Sequence, residues 1–266
     1  MNSTELRRNN RELYFNEQFL TTERYVIPYI SAYKKIDKTL KILEIGCGEG
    51  GNLKYFIDLG CEVVGIDLNE MQLNRATHYT KKFCKPNDKV RFICKDIYDT
   101  NHEDFGQFDI IMMRDVIEHI PNQEKFVAFL HKFVKPDGVI FFGFPPWYMP
   151  FGGHQQGCKS FLKKVPYFHI LPAFLYKNVL KLFGESDYAI NSLLEVKSTG
   201  ISIERFKRAV KNSGWQILDE TLYLINPNYE VKFHLKPRKQ FPILRSIPFF
   251  RNFYTTCAYY IITPKK

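Results

Sequence analysis

Apolar residues at Leu13, Phe15, Phe19, Leu20, Val26, Ile27 and Ile30 recur at helical spacing, so residues 1–36 read as one or two helices leading into a core. The period then changes. Residues 40–45, LKILEI, form a short apolar run ending in a glycine cluster, the pattern of a buried parallel strand that turns sharply into a helix. A helix over 52–60 stops at Gly60, and a second strand follows at 61–67. A helix over 69–83 leads through the turn Pro86-Asn87-Asp88 into a third strand at 90–96. Residues 108–115 make a fourth strand and 123–134 a helix. The turn at 135–138 launches a fifth strand, 138–144. Strands that alternate with helices in this way call for right-handed crossovers and a parallel sheet covered on both faces.

Beyond Phe144 the regularity breaks. Residues 145–200 are rich in aromatics and proline and read as a helical or irregular insertion after the fifth strand. Order returns with a helix at 203–212, stopped by Gly214, and a strand at 215–225. A second irregular excursion spans 227–251, and AYYIIT (258–263) makes a terminal strand.

Composition narrows the class. With 266 residues and 45% hydrophobic content, the chain can bury a sizeable core without disulfides or a structural metal. The cysteines (47, 61, 84, 94, 158 and 257) form no C-x-x-C pair and no zinc-spaced cluster, so they read as reduced thiols and no metal ligand set is expected. The N-terminal stretch MNSTELRRNNRELYF lacks the apolar segment of a signal peptide. The apolar run Val165–Tyr176 is short of the roughly 20 residues that span a bilayer. A soluble, cytoplasmic protein is expected. The net charge of +10 suits anionic partners but names none, because the cations are spread along the chain with mild enrichment at 232–251.

The candidate chemistry begins at Gly46-Cys47-Gly48-Glu49-Gly50-Gly51, which fits both G-x-G-x-G and the dinucleotide G-x-G-x-x-G template. Glycines alone do not choose between them; both turns need positive φ and close approach of a ligand to the backbone. The acids separate them. Glu44, two residues before the first glycine, would oppose a pyrophosphate but favour the cationic amino group and sulfonium of S-adenosylmethionine. Asp67, at the end of the second strand, is placed to accept from both ribose hydroxyls, and Asp96, ending the third, from an adenine amine. Three acids at the C-terminal ends of successive strands converge on the usual ligand crevice of an open α/β sheet.

On LEIGCGEG (43–50), VVGIDLN (63–69), FICKDIYD (92–99), FDIIMMRDVIEHI (108–120) and KPDGVIFFGFPP (135–146), the chain resembles the class I S-adenosylmethionine-dependent methyltransferases, and most of all their ubiquinone-biosynthesis-type O-methyltransferase group. The resemblance covers 40–146 well and 198–225 weakly. It implies a Rossmann-like, doubly wound, seven-stranded and mostly parallel α/β sheet whose last strand, AYYIIT, is antiparallel. It also implies that Glu44 and Gly46, within the turn that includes Cys47, Gly48 and Gly50, bind the methionine end of the cofactor. Asp67 and Leu68 would meet the ribose and adenine edge, and Asp96 with Ile97 the adenine. Arg114 would lie beside the sulfonium, and the Glu118-His119 pair would help close the pocket. S-adenosyl-L-homocysteine would be the product.

On this reading residues 1–266 are one methyltransferase domain, with N-terminal helices at 1–36, a cofactor-binding core at 40–144, a substrate or lid insertion at 145–200 and the rest of the sheet at 201–266. Displacement at a sulfonium needs an aligned nucleophile above all, and a hydroxyl acceptor also needs a base. His119, after the fourth strand, and His154, in the polar hinge after the fifth, are the candidates. A small-molecule or lipid-like hydroxyl acceptor is expected. Residues 158–183, which mix aromatics with Lys159, Lys163, Lys164, Lys177 and Lys181, read as a lid or a peripheral membrane contact. A nicotinamide-dependent oxidoreductase stays open as an alternative. A nucleic-acid methyltransferase is permitted by charge, but no specific nucleic acid is expected without an aromatic platform or basic groove.

Overall fold

The computed structural model describes residues 10–265, so the part of the expected N-terminal helices in residues 1–9, and the signal-peptide reading of that stretch, fall outside the described residues. Helix α1 (Arg11–Thr21) starts where the Asn10 side chain accepts from the Leu13 amide. A π-helical turn, Thr22–Val26, rotates the chain before α2 (Ile27–Ser31). Val26, Ile27 and Ile30 are thereby buried against the sheet.

The Rossmann-like core follows in the expected alternation: β1 (Lys41–Ile45), α3 (Lys54–Leu59), β2 (Glu62–Asp67), α4 (Glu70–Thr80), β3 (Val90–Cys94), α5 (His102–Phe105), β4 (Phe108–Arg114), α6 (Gln123–Phe129) and β5 (Val134–Phe144). Gly60 ends α3 in the left-handed conformation, and Asn69 caps α4 by accepting from Gln72. The insertion holds α7 (Ala173–Leu182) and α8 (Asp187–Thr199). The remainder is α9 (Ile203–Asn212), β6 (Trp215–Ile225), α10 (Asn228–Phe233), β7 (Arg238–Lys239), α11 (Pro242–Ser246), α12 (Phe250–Phe253) and β8 (Cys257–Pro264).

The strands form one sheet in the order β3-β2-β1-β4-β5-β8-β6-β7. Strands β1 to β5 pair in parallel, while β8 runs antiparallel between β5 and β6. The strand count is eight rather than seven. The extra strand is the two-residue β7, inside the excursion read as irregular, which pairs with the outer edge of β6 through Tyr223 and Lys239. So short a strand has no alternation to detect.

Alternate residues of each strand enter opposite layers. Leu43, Ile45, Val64, Ile66, Ile111, Met113, Ile140, Phe142 and Tyr260 share one apolar cluster. Ile42, Val63, Ile110, Met112, Val139, Phe141 and Tyr259 share the other. A side chain fully withdrawn from water in this way contributes about 1.5–3 kcal/mol. Helix α9 covers the first layer through Phe206, whose ring lies 4.9 Å from Phe142, 5.0 Å from Phe144 and 4.6 Å from Tyr260. The insertion builds its own small cluster from Cys158, Leu162, Phe168, Tyr176, Leu180, Ile190 and Leu193. All six cysteines are free, and no helix among the described residues is long and apolar enough to cross a membrane.

Candidate active site

The chain reverses its winding between β1 and β4, and a cavity of about 580 Å³ opens at their C-terminal ends. The glycine turn forms its floor. Gly46 and Gly48 have φ of 69° and 53°, and a Cβ on Gly46 would come within 2.4 Å of a Val116 methyl. Cys47 is buried beneath this turn. Gly50, also at positive φ, lets the turn pack on Phe92 and Ala76.

Asp67 lines the cavity at the tip of β2. Its Oδ2 accepts from the Gly48 amide at 2.8 Å and its Oδ1 from the Asn69 amide at 2.8 Å, which fixes both oxygens as acceptors at the mouth of the turn. Leu68, beside it, is 71% exposed. Asp96 lies just past the tip of β3, where its Oδ1 accepts from the Tyr98 amide, and Ile97 is buried in the core. Leu68, Asp96 and Ile97 share the edge of the sheet with the cavity without lining its wall.

Glu44 departs most from expectation. It is fully buried and does not line the cavity. Its Oε1 accepts from Asn52 Nδ2 at 2.6 Å, while Asn52 Oδ1 accepts from Arg114 at 3.0 Å and from the Thr22 hydroxyl at 2.8 Å. Arg114, which does line the cavity, stands at the outer end of this relay. Burial pushes the Glu44 carboxyl up to about 8, against the pull of Asn52 and Arg114. Glu44 therefore meets the cavity only through Asn52 and Arg114, and desolvation favours its protonated form.

Sequence reasoning missed the outer wall. Arg11, Tyr14 and Gln18 of α1 face the cavity, as do Gln72, Asp115, Lys232 and Phe233. Arg11 Nε donates to the buried Glu49 at 2.6 Å, and Arg75 Nε donates to the same oxygen at 3.1 Å. The 3.6-residue period of α1 marked its buried face, but no local signal tells which surface that helix covers. Asp115 is a non-glycine residue at φ 56°, a strained conformation at the tip of β4.

His119 lines this cavity and also a second one of about 630 Å³, shared with His154, Gln156, Tyr188, Ser192, Leu193, Glu195, Val196 and Thr199. The helical turn Ile117–His119 is held by α8 and α6. Thr199 Oγ1 donates to the Glu118 carbonyl at 2.7 Å, and Gln123 Nε2 donates to the Ile117 carbonyl at 3.0 Å. His154, at φ 57°, meets His119 with ring centroids 4.9 Å apart. The His154 loop rests on buried His169, whose ring bonds to the Trp147 carbonyl at 2.7 Å. Burial lowers both site imidazoles, His154 to about 4 with a further push from His119.

Glu118 is buried, and neither carboxylate oxygen has a hydrogen-bond partner among the described residues; burial, then Asp115, pushes its carboxyl well up. Ligand atoms of Glu118, His119 and His154 all lie within 4.8 Å of one another. The structure thus gathers a set able to hold a cation where the sequence offered no ligand spacing, because His154 reaches the pair from the loop after β5.

A glycine turn after β1, an acid at the tip of β2 and an antiparallel β8 beside β5 define the Rossmann-like methyltransferase architecture. Residues 43–142 match a family model described as a methyltransferase domain. Residues 43–142 are thus similar to a methyltransferase domain, a family whose cofactor is S-adenosylmethionine.

The chain is 32% identical to a sterol 24-C-methyltransferase of Debaryomyces hansenii across 124 residues, covering 46% of this chain and 31% of that protein. It is 31% identical to a ubiquinone biosynthesis O-methyltransferase of Acinetobacter baylyi across 102 residues, covering 38% and 42%. The matched regions thus span about a third to two fifths of these relatives. A magnesium protoporphyrin IX methyltransferase from Synechocystis PCC 6803, crystallised with S-adenosylhomocysteine, superposes with a TM-score of 0.57 at 13% identity, covering 94% of this chain and 84% of that one.

Proposed function

We propose that the chain transfers the methyl group of S-adenosylmethionine to a hydroxyl of a small-molecule or lipid-like acceptor. The observation that carries this reading is His119, which lines two adjoining cavities, one over the glycine turn and Asp67 and the other under the insertion. One chamber suits the donor and the other the acceptor. Similarity to sterol, ubiquinone and tocopherol methyltransferases supports a small or lipid-like acceptor. The division of residues 1–266 into a core at 40–144 and a lid at 145–200 belongs to the same proposal.

The cofactor supplies an electrophilic methyl on a sulfonium. Gly46 and Gly48 leave the backbone open to the methionine end, and Asp67 accepts from the ribose hydroxyls. Leu68 would meet the adenine edge, and Asp96 with Ile97 would hold the adenine just beyond the cavity wall. Glu44 touches Asn52, which touches Arg114, so it reaches the ligand through this relay and its field rather than by contact. His154, neutral at physiological pH, takes the acceptor's proton, and His119 orients both rings at the common wall. Residues 158–183 close the acceptor chamber and carry exposed Phe161, Phe174 and Leu182 beside their lysines, a composition suited to a membrane surface.

Calorimetric titration with S-adenosylhomocysteine and NAD tests the donor. Micromolar binding of the first and none of the second is expected, and the reverse overturns the reading. Transfer of a labelled methyl group into quinol, phenol and sterol panels then identifies the acceptor.

A further inference from the structure

Residues 231–266 contain eight lysines and arginines and no aspartate or glutamate, in a chain whose net charge is +10. Three of these cations are engaged within the fold: Arg251 pairs with Glu204 at 2.9 Å, Arg245 with Glu220 at 3.5 Å, and Lys232 lies over the Tyr14 ring. Lys236, Arg238 and Lys239 are exposed and carry no ion pair among the described residues.

The same excursion leaves its apolar side chains in water. Phe241 is 57% exposed, Ile243 77% and Phe249 65%, and Ile247, Phe250 and Tyr254 are exposed beside them. Helix α11 buries none of its residues. Yet the segment is firmly seated. Glu204 accepts from the Phe249 amide at 2.8 Å and from Asn252 Nδ2 at 2.6 Å. Asn252 Oδ1 accepts from the Ile203 amide at 2.8 Å, and Gln240 Nε2 donates to the Arg251 carbonyl at 2.8 Å. Pro242 and Pro248 fix φ at two further points. Polar groups thus hold the underside while large apolar groups point away from the core, the reverse of ordinary packing.

We propose that residues 231–254 are a docking surface for an anionic lipid bilayer. Phe241, Ile243 and Phe249 enter the boundary between headgroups and acyl chains, and Lys236, Arg238 and Lys239 meet lipid phosphates. The apolar members choose this occupant over a nucleic acid, which would engage the cations but has no use for Ile243 and Ile247. The excursion begins in α10, whose Lys232 and Phe233 line the cavity over the glycine turn, so a docked molecule holds its cleft next to the bilayer. Docking stands apart from methyl transfer; only the delivery of a lipid-like acceptor rests on the proposed function.

The test is vesicle co-sedimentation of the full chain, with phosphatidylcholine alone or mixed equally with phosphatidylglycerol. Binding to the mixed vesicles is expected to be about tenfold or more tighter. Lys236→Gln/Arg238→Gln/Lys239→Gln should weaken it about a hundredfold, at roughly fivefold per cation. Phe241→Ser/Ile243→Ser/Phe249→Ser should weaken it about tenfold or more. S-adenosylhomocysteine titration of each variant checks that the fold and donor site remain, so a failure of docking is distinguishable from a failure of the enzymatic reading. Wild-type-like binding by the serine variant, or equal affinity for both vesicles, overturns the proposal. So does loss of binding only in Phe161→Ser/Phe174→Ser/Leu182→Ser, or tighter binding of a single-stranded RNA that ignores the serine substitutions.

Discussion

The imidazoles of His119 and His154 meet edge to face, ring centroids 4.9 Å apart, at the wall between the two cavities. One hangs from the end of β4 and the other from the loop after β5, so the pair exists only when the insertion is seated. His154→Ala should lower kcat by about 10²–10⁴ while leaving S-adenosylhomocysteine affinity within about twofold, since His154 lies off the donor cavity. Undiminished turnover would remove His154 as the base.

The pH profile should carry the mark of burial. A base is active when neutral, and His154 is lowered from its ordinary value of 6.5 to about 4. The acidic limb of kcat should therefore fall below pH 5 rather than near 6.5. Stability moves in the same direction. The unfolded histidine takes up a proton below about 6.5 and the folded one only near 4, so stability is full above 6.5 and declines as pH falls through that window. Rates measured with a chelator present keep any cation on the Glu118 cluster out of the profile.

Donor affinity should be pH-dependent through Glu44. Its carboxyl sits at about 8 in the free protein, and a nearby sulfonium and ammonium favour the ionised form. Binding then releases a proton, and S-adenosylmethionine affinity should rise from pH 6.5 to 8 and level off above. Calorimetry in buffers of different ionisation enthalpy reads the released proton. Glu44→Gln should abolish the release, and a release that persists in that variant would place it elsewhere.

Gly46→Ala joins two penalties, a left-handed φ of 69° and a Cβ 2.4 Å from Val116. A loss of about 1–3 kcal/mol in stability is expected, with donor binding weakened more than tenfold because the turn is also the cavity floor. Thermal unfolding and titration separate the two effects.

Phe206→Ala should cost about 3–5 kcal/mol in chemical denaturation, since the ring is fully buried against Phe142, Phe144 and Tyr260. A cost under about 1 kcal/mol would mean that α9 repacks freely.

The core was legible in the sequence because its signals are local. LKILEI reads as a buried strand wherever it stands, and helices α4 and α9 announce their starts through Asn69 and Ser202. What escaped depends on distant partners. Arg11 meets Glu49 only after α1 folds back over the glycine turn. The placement of Glu44 behind Asn52 depends on the turn's three-dimensional path, so its charge state could not be read from spacing. Strand β7 exists because β6 offers an open edge, not because Arg238 and Lys239 favour strands. His119 and His154 were singled out one by one, but their contact depends on how residues 145–200 close over β4 and β5.

The clasp of Arg11 on Glu49 is one of two. Glu49 is fully buried while the Arg11 side chain is 28% exposed, and α1 forms part of the wall over the glycine turn. Swinging the first turn of that helix outward would break one contact and leave Glu49 still paired with Arg75, so the buried carboxylate keeps a countercharge whether the wall is closed or ajar.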